Sequence, residues 1–259
     1  MHRSKEIRSL ANTVTGVLKD PVSYFEKKNY IFVISHMRSY SSLLCHILGS
    51  HEEICGYAEM HQSYSSWVNL MMLRHKTYVA NDNVLDGRYL LDKLLHNKHA
   101  ISEAILSKEK VKLLFLLRKP EAAMKSMINM GKGGGKFGNL AWVSNYYLER
   151  LLQIQDYVQK SRGKSFFVQA ERIIEDTDSL LDDLSRWLEL GSRLTPKYSI
   201  FKHTGARHYG DPSRFIRRGE IVRTVRDYRH IDIPADVVWQ AKEAYAACRN
   251  ILVECADTG

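Results

Sequence analysis

Apolar residues fall along this chain in two kinds of run. Short, nearly continuous stretches rich in β-branched and aromatic residues occur at Tyr30 to Ser35, at VKLLFLL (111–117) and at SFFVQA (165–170). Such runs predict strands covered on both faces, as in a parallel sheet. Ile54 to Tyr57 fits a further short strand, and YLLDKLL (89–95) fits strand or helix by pattern. Between them the spacing turns helical. Leu43, Leu44, Ile47 and Leu48 share one helix face, and helices are predicted over 65–76, 100–106, 140–160, 178–190 and 234–254. Pro120 suits the first turn of another helix, and Gly191 suits a helix stop.

Strands that alternate with helices predict one α/β domain over 29–259, with a central, mostly parallel sheet of about five strands. Residues 1–28 are polar, with Pro21 as a breaker. They read as a leader segment: a lid, an arm or a disordered stretch. The N-terminus lacks the apolar stretch of a signal peptide, and no run of 18 apolar residues occurs, so a cytoplasmic protein without membrane association is expected.

Composition narrows the classes. Of 259 residues, 44% are hydrophobic and 26% charged, which excludes a disordered or collagenous chain. Cys45, Cys55, Cys248 and Cys255 form no C-x-x-C pair and no zinc-site spacing, so they read as reduced thiols and no metal is expected. The net charge of +9 points to an anionic partner without choosing among nucleic acid, acidic lipid and a phosphorylated small molecule.

Three loops carry candidate chemistry. In HMRSYSSLL (36–44), Arg38 and three serines stand between a strand end and a helix start. Free N–H groups, a helix dipole and a fixed cation suit a phosphate or sulfonate, although a serine-capped helix with an exposed arginine accounts for the string equally well. No Walker string G-x-x-x-x-G-K-[ST] occurs, and GKGGGK (131–136) has the wrong order for one. That glycine run reads as a mobile cationic loop or a flexible lid. Arg118 ends the 111–117 strand with Ser126 eight residues on, and Arg217 and Arg218 precede Gly219 in a basic loop. Taken alone, Arg118 reads rather as a surface residue paired with Glu121.

Together the three motifs resemble the sulfotransferases that use 3′-phosphoadenosine 5′-phosphosulfate (PAPS). The resemblance spans roughly residues 28–222. It implies a three-layer sandwich of the P-loop-like sulfotransferase type, with transfer of a sulfuryl group to a small-molecule hydroxyl or amine and release of 3′-phosphoadenosine 5′-phosphate (PAP). It also implies a PAPS site made by Arg38, Ser39, Tyr40, Ser41, Ser42 and Leu43 at the 5′ end. Arg118, Ser126, Arg217, Arg218 and Gly219 would stand at the 3′-phosphate. FFVQAERI looks like the family's Y-E-D-L strand end, with Glu171 as the retained acid. Two positions depart from the family pattern: His36-Met37 stands where proline is common, and Tyr40 stands where the loop glycine is common. Tyrosine takes a positive φ with difficulty, so either the loop differs locally or the family's glycine does not need the special dihedral, and Tyr40 could also close over the ligand.

The base candidates are Glu59 and His61 in CGYAEMHQSY; on a strand, their spacing would put both on one face. Lys93, in LLDKLLHN, is a candidate to stabilise the sulfonate, whereas His96 stands three residues on rather than the family's two. His75, His99 and His230 read as surface residues. Tyr64, Trp67 and Trp142 are candidate aromatics for an acceptor cleft. The rival readings are a small-molecule kinase and a nucleic-acid-binding protein, the latter disfavoured because the arginines lie at strand ends rather than along a stripe.

Overall fold

The computed structural model describes residues 14–15, 25–131, 134–161, 165–206, 209–223 and 227–258. Most of the expected 1–28 leader lies outside the described residues, as do Lys132 and Gly133 of the glycine run.

The strands are β1 (Asn29–Ser35), β2 (Ile54–Cys55), β3 (Tyr89–Leu94), β4 (Val111–Leu117) and β5 (Ser165–Gln169). They form one sheet in the order β2-β3-β1-β4-β5, and every pairing is parallel. From β1 onward, the helices among the described residues are α1 (Ser41–Gly49), α2 (Trp67–Ala80), α3 (Glu103–Leu106), α4 (Pro120–Met130), α5 (Leu140–Lys160), α6 (Arg172–Glu175), α7 (Thr177–Trp187) and α8 (Ala235–Cys255). The ambiguous 89–95 segment is a strand. Its neighbours β1 and β2 offer it a full ladder, and every one of its six residues is buried.

Alternation along β1 divides the core in two. Tyr30, Phe32 and Ile34 pack toward α2, α4, α5 and α8. Ile31 and Val33 pack toward α1 and α7. The result is the expected three-layer α/β sandwich, because successive strand side chains point to opposite faces. β1 lies at the middle of the sheet, and the chain leaves it first toward β2 and later toward β4. In open α/β sheets such a reversal opens a crevice at the carboxyl ends of the strands.

Buried Arg150 of α5 closes that end from below. Its guanidinium donates to Ser35 O (2.8 Å) and Leu94 O (2.5 Å), the last carbonyls of β1 and β3. Among the described residues, no helix is long and apolar enough to cross a membrane.

Candidate active site

Five residues, 36–40, link β1 to α1. Arg38 (φ 65°) and Tyr40 (φ 64°) both adopt the left-handed conformation. Tyr40 therefore takes the dihedral that the sequence reading judged difficult for it. The surroundings over-determine the loop. Ser39 Oγ donates to His36 O (2.9 Å) and lies 2.6 Å from Ser35 Oγ, which donates to Leu116 O (2.6 Å). The hydroxyl of Ser39 is thus engaged inside the loop. His36 Nδ1–H donates to Met37 O (2.9 Å), and His36 Nε2 accepts the Arg118 N–H (3.0 Å). Tyr146 accepts the Met37 N–H (2.8 Å) and donates to Leu95 O (2.5 Å). Where the family pattern has proline, this chain uses a buried histidine to join the ends of β1 and β4. Burial holds that histidine neutral, lowering its pKa to about 4.

The N-cap of α1, Tyr40, makes no side-chain capping bond. The first N–H groups of α1 are therefore not capped by that side chain, and Tyr40 to Leu43 line a cavity of about 540 Å³. Arg38 Nε donates to Ser126 Oγ (3.0 Å), and its guanidinium also meets Asp211 Oδ1 (3.5 Å). Arg118 Nη1 donates to Arg38 O (2.9 Å), and its guanidinium lies 4.3 Å from the centre of the Tyr40 ring. Arg118 Nε is buried without a hydrogen bond, an orphaned donor at the cavity wall. Glu121 pairs with Lys125 (2.9 Å) instead of Arg118. Glu171 accepts the Lys119 N–H (3.1 Å), tying the end of β5 to the same loop.

Lys93 is buried, as Asp92 beside it is, but the two point to opposite faces. Lys93 shares the α1 face with Tyr89 and Leu91 and donates to Ser42 Oγ (2.9 Å). Ser42 Oγ also accepts the Asp211 N–H (3.0 Å). Asp92 instead accepts the Met60 N–H (2.9 Å) and the Tyr64 hydroxyl, pinning the loop that carries Glu59 and His61. Burial raises the Asp92 carboxyl to a pKa of about 6.

That loop is not a strand, so Glu59 and His61 meet by another route. His61 adopts φ 49°, and its Nδ1 lies 3.4 Å from Glu59 Oε1. His96 Nε2 reaches the same oxygen from the end of β3, also at 3.4 Å. Glu59 is buried, its Oε1 accepts no hydrogen bond, and burial pushes its pKa up to about 7. The rings of His61, His96 and His99 stand 5.7 to 6.3 Å apart. Burial lowers both His96 and His99 to about 4. His99 is thus half-buried beside the site rather than a surface residue. The expectation of no ligand set rested on local spacing; the fold assembles a carboxylate and two imidazoles from segments 35 residues apart.

The third basic motif is placed differently from its expectation. Residues Arg214–Arg218 form a 3-10 turn that directs Phe215 and Ile216 to the cavity and leaves Arg217 and Arg218 exposed. Arg217 donates to Gly205 O (3.3 Å), and Gly219 (φ 71°) ends the turn with its carbonyl accepting the Tyr198 N–H (2.8 Å). Three residues per turn cannot bring Ile216 and both following arginines to one face.

The aromatics are redistributed as well. Tyr64 is buried under Asp92, Trp67 is exposed, and Trp142 stacks on Tyr146 at 5.4 Å. The cavity wall instead carries Phe137, Tyr198, Phe215 and Tyr228. Tyr228 and Asp211, which the sequence reading missed, contact Ser126 (3.2 Å) and Arg38 respectively. Neither stands in a recognisable string.

No family model matches the sequence. No curated protein matches it. Among solved structures the chain is similar to the sulfotransferase STF1 from Mycobacterium tuberculosis H37Rv, at 14% identity and a TM-score of 0.52, over 91% of this chain and 81% of that one. At that identity the likeness is one of architecture, and the chain has a sulfotransferase-like fold.

Proposed function

We propose that this protein is a PAPS-dependent sulfotransferase acting on a hydroxyl or amine of a small-molecule acceptor. One observation carries the reading. Arg38 and Ser126, 88 residues apart in sequence, are hydrogen-bonded at 3.0 Å, and Arg118 binds the backbone of Arg38 at 2.9 Å. Two strand-end motifs thereby form one cationic wall beside the N-terminus of α1. A helix N-terminus with flanking arginines suits phosphate and sulfonate groups. The orphaned Nε of Arg118 fits an anionic oxygen as its partner. The cavity falls within the usual range for ligand sites, about 300–1,000 Å³.

In this reading the α1 N–H groups and Ser42 hold the 5′-phosphosulfate, with Lys93 beside Ser42 as a second cation. Arg118 and Ser126 hold the 3′-phosphate. Arg38 offsets the charge that builds on the bridging oxygen as the S–O bond to phosphate breaks. Glu59 takes the acceptor proton as the new bond to sulfur forms. Its proton affinity near neutrality suits a general base. His61 flanks it on the acceptor side. The products are the sulfated acceptor and PAP, with the proton on Glu59.

The first test is thermal denaturation with PAP, with AMP and ATP as controls. A ligand at 100 times its Kd adds about 2.7 kcal/mol to native stability. PAP should raise Tm well above the AMP value. Equal shifts for PAP and AMP would remove the 3′-phosphate site, and a shift for ATP alone would favour a kinase.

A further inference from the structure

The cavity has a second chemical feature that the anion wall does not use. Glu59 Oε1, His61 Nδ1 and His96 Nε2 all lie within 4.8 Å of one another. Two of the three separations are 3.4 Å. Two ligand atoms at about 2.0–2.1 Å from a tetrahedral zinc ion lie about 3.3 Å apart. The Glu59 oxygen is therefore already at zinc-ligand spacing from each imidazole.

A further observation points to a ligand. Glu59 is 5% exposed, yet Oε1 has no hydrogen-bond donor. A buried carboxylate oxygen left without a partner is unfavourable and is normally satisfied by a proton, a water or a cation. The His61 ring faces that oxygen, with Nδ1 3.4 Å away.

We propose that Glu59, His61 and His96 form a binding site for a divalent transition-metal ion of the zinc class. Two imidazoles and one carboxylate suit zinc, nickel, copper or iron, and do not suit magnesium, which takes oxygen ligands. All three residues line the cavity, so the remaining coordination position is open to water or to a molecule within it. The inference about binding is independent of the sulfuryl-transfer reading, because the probe is the metal alone.

The test is calorimetric titration of the full chain with zinc chloride at neutral pH. Glu59→Gln, His96→Ala and the loop control His230→Ala are titrated alongside. One zinc per chain is expected. Both site variants should weaken that event at least tenfold, His230→Ala should leave it unchanged, and millimolar magnesium should not compete. Circular dichroism checks each variant's fold. If Glu59→Gln does not fold, the half-exposed His96 supplies the deciding variant. Absence of zinc binding, or binding that His96→Ala leaves at wild-type strength, overturns the site. Zinc binding that survives while PAP gives no thermal shift overturns only the sulfotransferase reading.

Discussion

Arg38 Nε, in the loop that leads into α1, and Ser126 Oγ, in the second turn of α4, are hydrogen-bonded at 3.0 Å. The same serine meets the Tyr228 hydroxyl at 3.2 Å, and the same arginine meets Asp211. The one strongly placed cation of the first loop is thus positioned from three separate segments. Arg38→Ala should lower turnover about 100- to 1,000-fold, as removal of one transition-state donor does. The fold should survive, because the side chain lies at the cavity wall rather than in the core. Single-turnover rates with PAPS and a detected acceptor, beside circular dichroism, check this. An unchanged rate would remove Arg38 from the chemistry.

Arg118→Ala and Ser126→Ala separate nucleotide recognition from fold. A hydrogen bond to a charged group contributes about 1.5–3 kcal/mol. Arg118→Ala should therefore weaken PAP about 10- to 150-fold, with a smaller loss for Ser126→Ala, while AMP affinity stays nearly level. Calorimetric Kd values for both nucleotides test it. Equal losses for PAP and AMP would place these residues away from the 3′-phosphate.

Tyr40 combines a strained dihedral with a stacking partner. The left-handed conformation costs a non-glycine residue about 1–2 kcal/mol, and an arginine over an aromatic ring contributes about 0.5–2 kcal/mol. Tyr40→Ala keeps the strain and loses the stacking, so it should destabilise by about 1 kcal/mol. Tyr40→Gly loses both, so its stability should stay close to native. Urea unfolding of the two variants distinguishes the terms. Equal losses in both would show that the dihedral contributes nothing.

Glu59→Gln tests the assigned base. Loss of a general base lowers rate about 100- to 10,000-fold. His61→Ala should cost less, since His61 flanks the carboxylate. A larger effect of His61→Ala in the transfer assay would reverse the assignment.

His36 makes stability acid-sensitive. Its pKa falls from 6.5 to about 4 on folding, chiefly through burial, with Arg118 and Arg150 adding repulsion. Above pH 6.5 both states are neutral and the full stability is present. As pH falls toward 4 the unfolded chain binds the proton first, so stability declines by roughly 3 kcal/mol. His46 acts in the same direction, whereas Glu59 and Asp92, whose values are raised, act in the opposite one. The contribution of His36 is therefore the difference between wild type and His36→Gln in urea unfolding at pH 7 and pH 4.5. The variant should lose less stability between those values; an identical loss would show that His36 does not couple to folding.

The sequence by itself determined the elements and their order. Apolar runs and 3.6-residue spacing are local properties, and they located every strand of the sheet and the principal helices, with 89–95 alone ambiguous. It also determined that Arg38 stands between a strand end and a helix start and that Arg118 stands at a strand end, because strand and loop compositions change within a few residues there. The tertiary structure decided the rest. Parallel strands are paired by long connections, so the order β2-β3-β1-β4-β5 depends on which helix covers which face. That order brings Ser126 to Arg38 and Lys93 to Ser42. It also brings His96 to Glu59, a meeting that no short string encodes. Arg217 and Arg218 show the converse. Their motif is legible, yet the three-residue turn carrying them faces Ile216 inward and leaves both arginines outside. Local pattern sets what a segment becomes, whereas side-chain meetings across the cavity are set by packing between segments far apart in the chain.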